Sequence, residues 1–169
     1  MKKKTKIIIG AIIAILFIVF FTVIACGKQS PQEIASKGLS IDLSSGIEIS
    51  AEDSHEGFHG DGHTFIVLQF SDNSILDVIK EDVKWKEFPL DETTQALVYG
   101  LEDNESHIQP FLSNEDGTAL IPEIQNGYYI LIDRQPETDT DILERYSFNF
   151  TIGIYDSDTN IMYFCELDT

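Results

Sequence analysis

One short stretch concentrates the side chains that could do chemistry: His55-Glu56-Gly57-Phe58-His59-Gly60-Asp61-Gly62-His63. Three of the chain's four histidines lie here at intervals of four. On a helix they would share one face, but three glycines in nine residues argue against a helix. In an extended chain the two-residue period places His55, His59, Asp61 and His63 on one side. Imidazoles with a carboxylate are suitable donors for zinc, copper or nickel, so these four residues are the candidate metal ligands. The reach is awkward: residues four apart on a strand are separated by roughly 13 Å, and only a folded loop would bring them to one ion. The spacing favours a glycine-rich turn ahead of a strand. A ligand-contacting loop and a metal site are the alternatives.

Other candidates are weaker. Asp156-Ser157-Asp158-Thr159-Asn160 opens like a calcium loop but lacks its glycine at position six and its glutamate at position twelve, so a hairpin turn is expected. Asn114 to Gly117 reads as a turn as well. Lys80, Lys84 and Lys86 surround Trp85, the only tryptophan. A cationic rim around an aromatic ring suits an anionic sugar or a partner carboxylate, although such a ring more often packs beneath lysine stems. Cys165 sits in the apolar run Ile161 to Cys165 and is expected to be a buried small hydrophobe. No GxSxG elbow, phosphate-binding loop, dinucleotide fingerprint or kinase signature is present, so the reading leans away from an enzyme, and no catalytic residue or cofactor is assigned.

The elements that would position these groups begin after residue 38. Leu39, Ile41 and Leu43, then Ile47 and Ile49, alternate with polar residues, which predicts a bulged strand or a tight hairpin. Thr64 to Phe70 is apolar on both faces and predicts a central strand covered on each side. Ser71 or Asp72 should cap a helix carrying Ile75, Leu76 and Ile79, and a second helix is expected over 92–99, closed by Gly100. Ala119 to Ile124 and Tyr128 to Asp133 read as strands flanking an Asn126-Gly127 hairpin turn, with Pro122 pushing the first to an edge. Phe148 to Ile154 alternates as a half-buried strand, and Ile161 to Leu167 is the last strand. The expected fold is α+β: a mainly antiparallel sheet of five or six strands with two or three short helices, preceded by a membrane-inserting segment.

That leading segment sets the address. Ile7 to Ala25 is apolar but for Gly10 and Thr22, and as a helix would span roughly 28 Å at about 1.5 Å per residue, near bilayer thickness. Lys2, Lys3, Lys4 and Lys6 hold its start on the cytoplasmic side, so the remainder is expected outside. Removing these four from 11 basic residues leaves 7 against 29 acidic ones, a formal charge of −22 after residue 25. Such an excess opposes nucleic acid and close contact with anionic lipid. It suits solubility, a cation or a basic partner.

The run ends in Val23-Ile24-Ala25-Cys26-Gly27, which resembles the lipobox of bacterial lipoproteins. The resemblance implies cleavage before Cys26 and lipidation of its thiol. An uncleaved single-pass anchor is the alternative. Residues 26–37 read as a polar tether, and 38–169 as one acidic extracytoplasmic domain. The segments GFHGDG, FIVLQF, QALVYG and PEIQNGYYILIDR, with the ending ELDT, are similar to small lipoprotein-like surface proteins of Gram-positive bacteria. That resemblance implies a self-contained domain and carries no activity or ligand.

Three functions follow as expectations. The first is a membrane-anchored, non-enzymatic module for an unknown protein or small ligand outside the cell. The second is metal binding or metal-dependent hydrolysis at His55, His59, Asp61 and His63. The third is an inhibitor or immunity protein against a basic partner.

Overall fold

The computed structural model describes residues 29–55, 60–102, 107–114, 116–135 and 140–169. The apolar segment 7–25 and Cys26 lie outside them, as does His59. Residues 31–169 make up one unit. It opens with helix α1 (Pro31–Leu39) and the strands β1 (Ile47–Asp53) and β2 (Gly62–Gln69). Helix α2 (Ser74–Glu81), strand β3 (Lys86–Glu87) and helix α3 (Glu92–Tyr99) follow. The remainder is β4 (Leu101–Glu102), β5 (His107–Ile108), β6 (Gly127–Asp133), a 3₁₀ turn (Ile142–Glu144), β7 (Asn149–Asp156) and β8 (Ile161–Asp168). Six strands form an antiparallel sheet in the order β1-β2-β8-β7-β6-β3, and β4 pairs with β5 separately. The expected α+β class is the observed one.

The sheet is a middle layer with apolar side chains on both faces, which is why its inner strands read as nearly continuous hydrophobic runs. On one face Ile66, Leu68, Ile130, Met162 and Phe164 pack with α1, α2 and Trp85. On the other, Phe65, Val67, Ile152, Ile154 and Cys165 pack with α3 and with Leu112, Ile121 and Ile142 from the connecting segments. Strand β2 is buried on both sides, as expected. Strand β7, expected to be half-buried, is also buried on both, because Thr151, Gly153 and Tyr155 are covered as fully as Phe150, Ile152 and Ile154. Gly153 makes room for Trp85: a Cβ there would stand 2.9 Å from the indole Cη2 and 2.7 Å from Leu39 Cδ2.

Both helices expected between β2 and the late strands form. The Asp72 carboxylate accepts from the Ser74 N–H at 2.9 Å, ahead of α2. The Asp91 carboxylate caps α3 by accepting from the Thr94 N–H at 2.9 Å, and Gly100, at φ 79°, ends it. The turn at 156–160 closes the β7–β8 hairpin, with the Asp156 carboxylate accepting from the Asp158 N–H and the Thr159 hydroxyl.

Three local expectations give way. The tether of 26–37 is helical from Pro31, because Ala35 and Leu39, four apart, are buried and Gly38 lies flush on the Phe164 ring. The alternation from Leu39 to Ile49 is no continuous strand. Leu39 ends α1, Ile41 and Leu43 are buried in a loop, and only Ile47 onward pairs with β2. Residues 119–124 form no strand, and the Asn126-Gly127 hairpin turn is absent: Gly127 already belongs to β6, opposite Asp156. Its glycine is explained by close approach, since a Cβ would collide with the Tyr155 carbonyl.

Candidate functional site

The strand register defines two polar regions at opposite ends of the face covered by α1 and α2. At one end Asp53 pairs with Thr64 and Thr64 with Glu166, while Asp168 pairs with Gly62 and Asn149. Seven strand steps away, about 23 Å at roughly 3.3 Å per residue, Gly127 and Asp156 pair at the other end.

At the first end His55 follows β1 and lies close over β2: a Cβ at Gly62 would stand 2.6 Å from the His55 Cα. Its Nδ1 is 2.7 Å from the Asp53 carboxylate and its Nε2 is 3.2 Å from that of Asp168. A carboxylate only accepts, so an imidazole between two of them satisfies both contacts by donating from both nitrogens, that is, as the imidazolium. Burial pulls the His55 pKa down, but the two hydrogen bonds and the two negative charges prevail and raise it. The bond from His55 holds the Asp53 carboxyl below its ordinary value.

Arg134 extends the network across the sheet. It pairs with Glu166 at 2.7 Å and Asp168 at 2.9 Å, and donates to the Leu167 carbonyl at 3.0 Å. The Arg134 Nε is buried without a partner. On the far side of the same strand end, Arg145 grips Asp133 with two nitrogens at 2.9 and 2.7 Å, which lowers the Asp133 pKa.

The described members of the expected set make separate contacts. His55 engages Asp53 and Asp168, His63 Nδ1 lies 3.0 Å from the Ser54 hydroxyl, and Asp61 is exposed. The hairpin accounts for this: His55 and His63 stand on paired arms, His55 beside Gly62 and His63 beside Ser54, so the even spacing of an unbroken strand does not carry across. Among the described residues no three His, Cys, Asp or Glu side chains are grouped to hold a metal. Coordination by His55 would also need a ring nitrogen with a free lone pair, whereas both nitrogens face carboxylates.

At the second end a cleft of about 240 Å³ opens between α2 and the start of β6. Leu76, Phe88 and Tyr128 give it apolar surface, and Lys80, Glu87 and Ser157 give it polar groups. The Lys80 ammonium stands 5.8 Å from the Tyr128 ring centroid. Trp85 is buried in the core, as the packing reading expects, while Lys86 turns to Tyr129 and to Asp91. Cys165 is buried as expected, and burial pushes its thiol pKa well up.

The sequence reading missed Asp53, Arg134, Glu166 and Asp168 because their meeting depends on strand order. It also missed the cleft. The basic cluster around Trp85 was the available signal, and it pointed at the wrong ring. In comparisons with known proteins the chain matched no family model, no curated protein and no solved structure.

Proposed function

We propose that this chain is a tethered module on the outer side of a bacterial membrane, whose acidic domain binds a partner or small ligand without turning it over. The observation that carries this reading is the lysine-led apolar run ending at Ala25-Cys26. Four lysines retained in the cytoplasm commit the following chain to the outside, whether or not the run is cleaved. A diacylated Cys26 would hold the domain stably, each buried methylene contributing about 0.8 kcal/mol.

Among the described residues, His55 and Cys165 are in structural use, which supports binding over catalysis. Both His55 nitrogens bridge carboxylates, and the Cys165 thiol lies in the core. By contrast, the cleft beside α2 is open and chemically mixed.

Labelling of growing cells with radioactive palmitate, followed by protease treatment of spheroplasts, tests the proposal. Label on the wild-type chain, its loss in Cys26→Ser and digestion of the domain from outside are expected. An unlabelled but membrane-bound and protease-sensitive chain would select the single-pass anchor. A soluble chain inside the cell would end the proposal.

A further inference from the structure

We infer that the cleft beside α2 is a binding site for a small zwitterion, of the kind represented by a free α-amino acid. The inference rests on the binding-module reading and names its ligand class.

Size comes first. A cavity of about 240 Å³ lies below the roughly 300 Å³ at which sites for drug-sized molecules begin, so its occupant is small. Gly127 contributes backbone to the lining, and close packing against the Tyr155 carbonyl forbids a side chain there. Leu76, Phe88 and Tyr128 supply apolar surface for a hydrocarbon portion.

Charge selects the class. Lys80 and Glu87 both line the cleft, and neither forms an ion pair among the described residues. The Lys80 ammonium matches a carboxylate, and the Glu87 carboxylate matches an ammonium. A simple anion would meet Glu87 in the cleft and a surrounding chain that carries −22 after residue 25. A simple cation would meet Lys80. A molecule bearing both charges offers a partner to each side chain and, being neutral overall, is not repelled on approach.

Isothermal titration of the full chain in detergent tests this, with the twenty protein L-amino acids as probes. N-acetyl and amide derivatives of any binder, each lacking one charge, serve as comparisons. Saturable binding of at least one amino acid is expected, weakened about tenfold or more in either derivative, as loss of a charged hydrogen bond implies. Lys80→Ala and Glu87→Gln should each weaken it comparably, and Lys80→Arg should retain most of it. No saturable heat from any amino acid would overturn the inference, as would a blocked derivative that binds as tightly as its parent. These comparisons need no variant, so they stand even if a substitution disturbs folding. A null titration leaves the membrane tether untouched, because that is read by fractionation.

Discussion

The two ends of the sheet treat charge in opposite ways. At the β1–β2 end, His55 and Arg134 are bonded to Asp53, Asp168 and Glu166, so that each cation meets at least two acceptors. At the β6 end, Lys80 and Glu87 line a cleft, where among the described residues the ammonium meets the Tyr128 ring and neither side chain has an ionic partner. Charges bonded to one another fix strands and have little capacity left for a ligand. Charges left without an ionic partner contribute little to folding and keep that capacity. This contrast, more than any single residue, is what the proposal of binding at the cleft and stabilisation at the network rests on.

The sharpest way to break the comparison is at Gly127, which belongs to the open end yet is structurally fixed. Gly127→Ala would drive a methyl group into the backbone carbonyl of Tyr155, which cannot move aside as a flexible side chain would. A loss of about 3 kcal/mol is expected from such overpacking, measured by urea denaturation. Next is Arg134→Ala, which leaves Glu166 and Asp168 without their shared cation. A fully buried pair broken on one side costs about 3–5 kcal/mol, and these groups are partly exposed, so about 2 kcal/mol is expected. A loss below about 0.5 kcal/mol, the size of an ordinary surface change, would deny the network its role.

Much of the sheet was legible because a strand buried on both faces announces itself locally. Thr64 to Phe70 and Ile161 to Leu167 are examples. The helix over 92–99 was legible through its closing Gly100. The first helix was not, since its buried face consists of little more than Ile34, Ala35 and Leu39 within a polar segment. Ala119 to Ile124 misled for the opposite reason: Ile121 and Ile124 are buried in a connecting segment packed on the sheet, where apolar residues need no strand. The polar network could be glimpsed only at His55. Its other members are up to 113 residues away in sequence, and they meet through pairing order that no local pattern encodes.

The network end also predicts a pH response. The raised His55 pKa means that its contribution is fully present below the ordinary histidine value of 6.5 and is lost as pH rises through the folded value. The lowered Asp53 pKa works from the other side. Its contribution is present above the ordinary value of 3.8 and is lost as pH falls through the folded value. Between those limits both act together. Stability should therefore be greater near about pH 5.5 than near about pH 8.5, by about 1 kcal/mol for partly exposed charged hydrogen bonds. His55→Ala should remove that difference. An unchanged slope in this variant would show that the clamp does not govern the response.

The smallest expected effect is the most discriminating. If the cleft's charges are held for a ligand, Lys80→Ala and Glu87→Gln should each change folding stability by no more than about 0.5 kcal/mol, the range of an ordinary surface substitution. For Lys80 the upper end of that range reflects its contact with Tyr128, since an exposed cation–ring pair at this long distance contributes about 0.5 kcal/mol. For Glu87 even that is missing. Denaturation of these two variants beside Arg134→Ala sets the two ends against each other under one condition. A loss of about 2 kcal/mol at Lys80 would make its ammonium a structural cation like the Arg134 guanidinium, and the distinction between a bonded end and an open end would disappear.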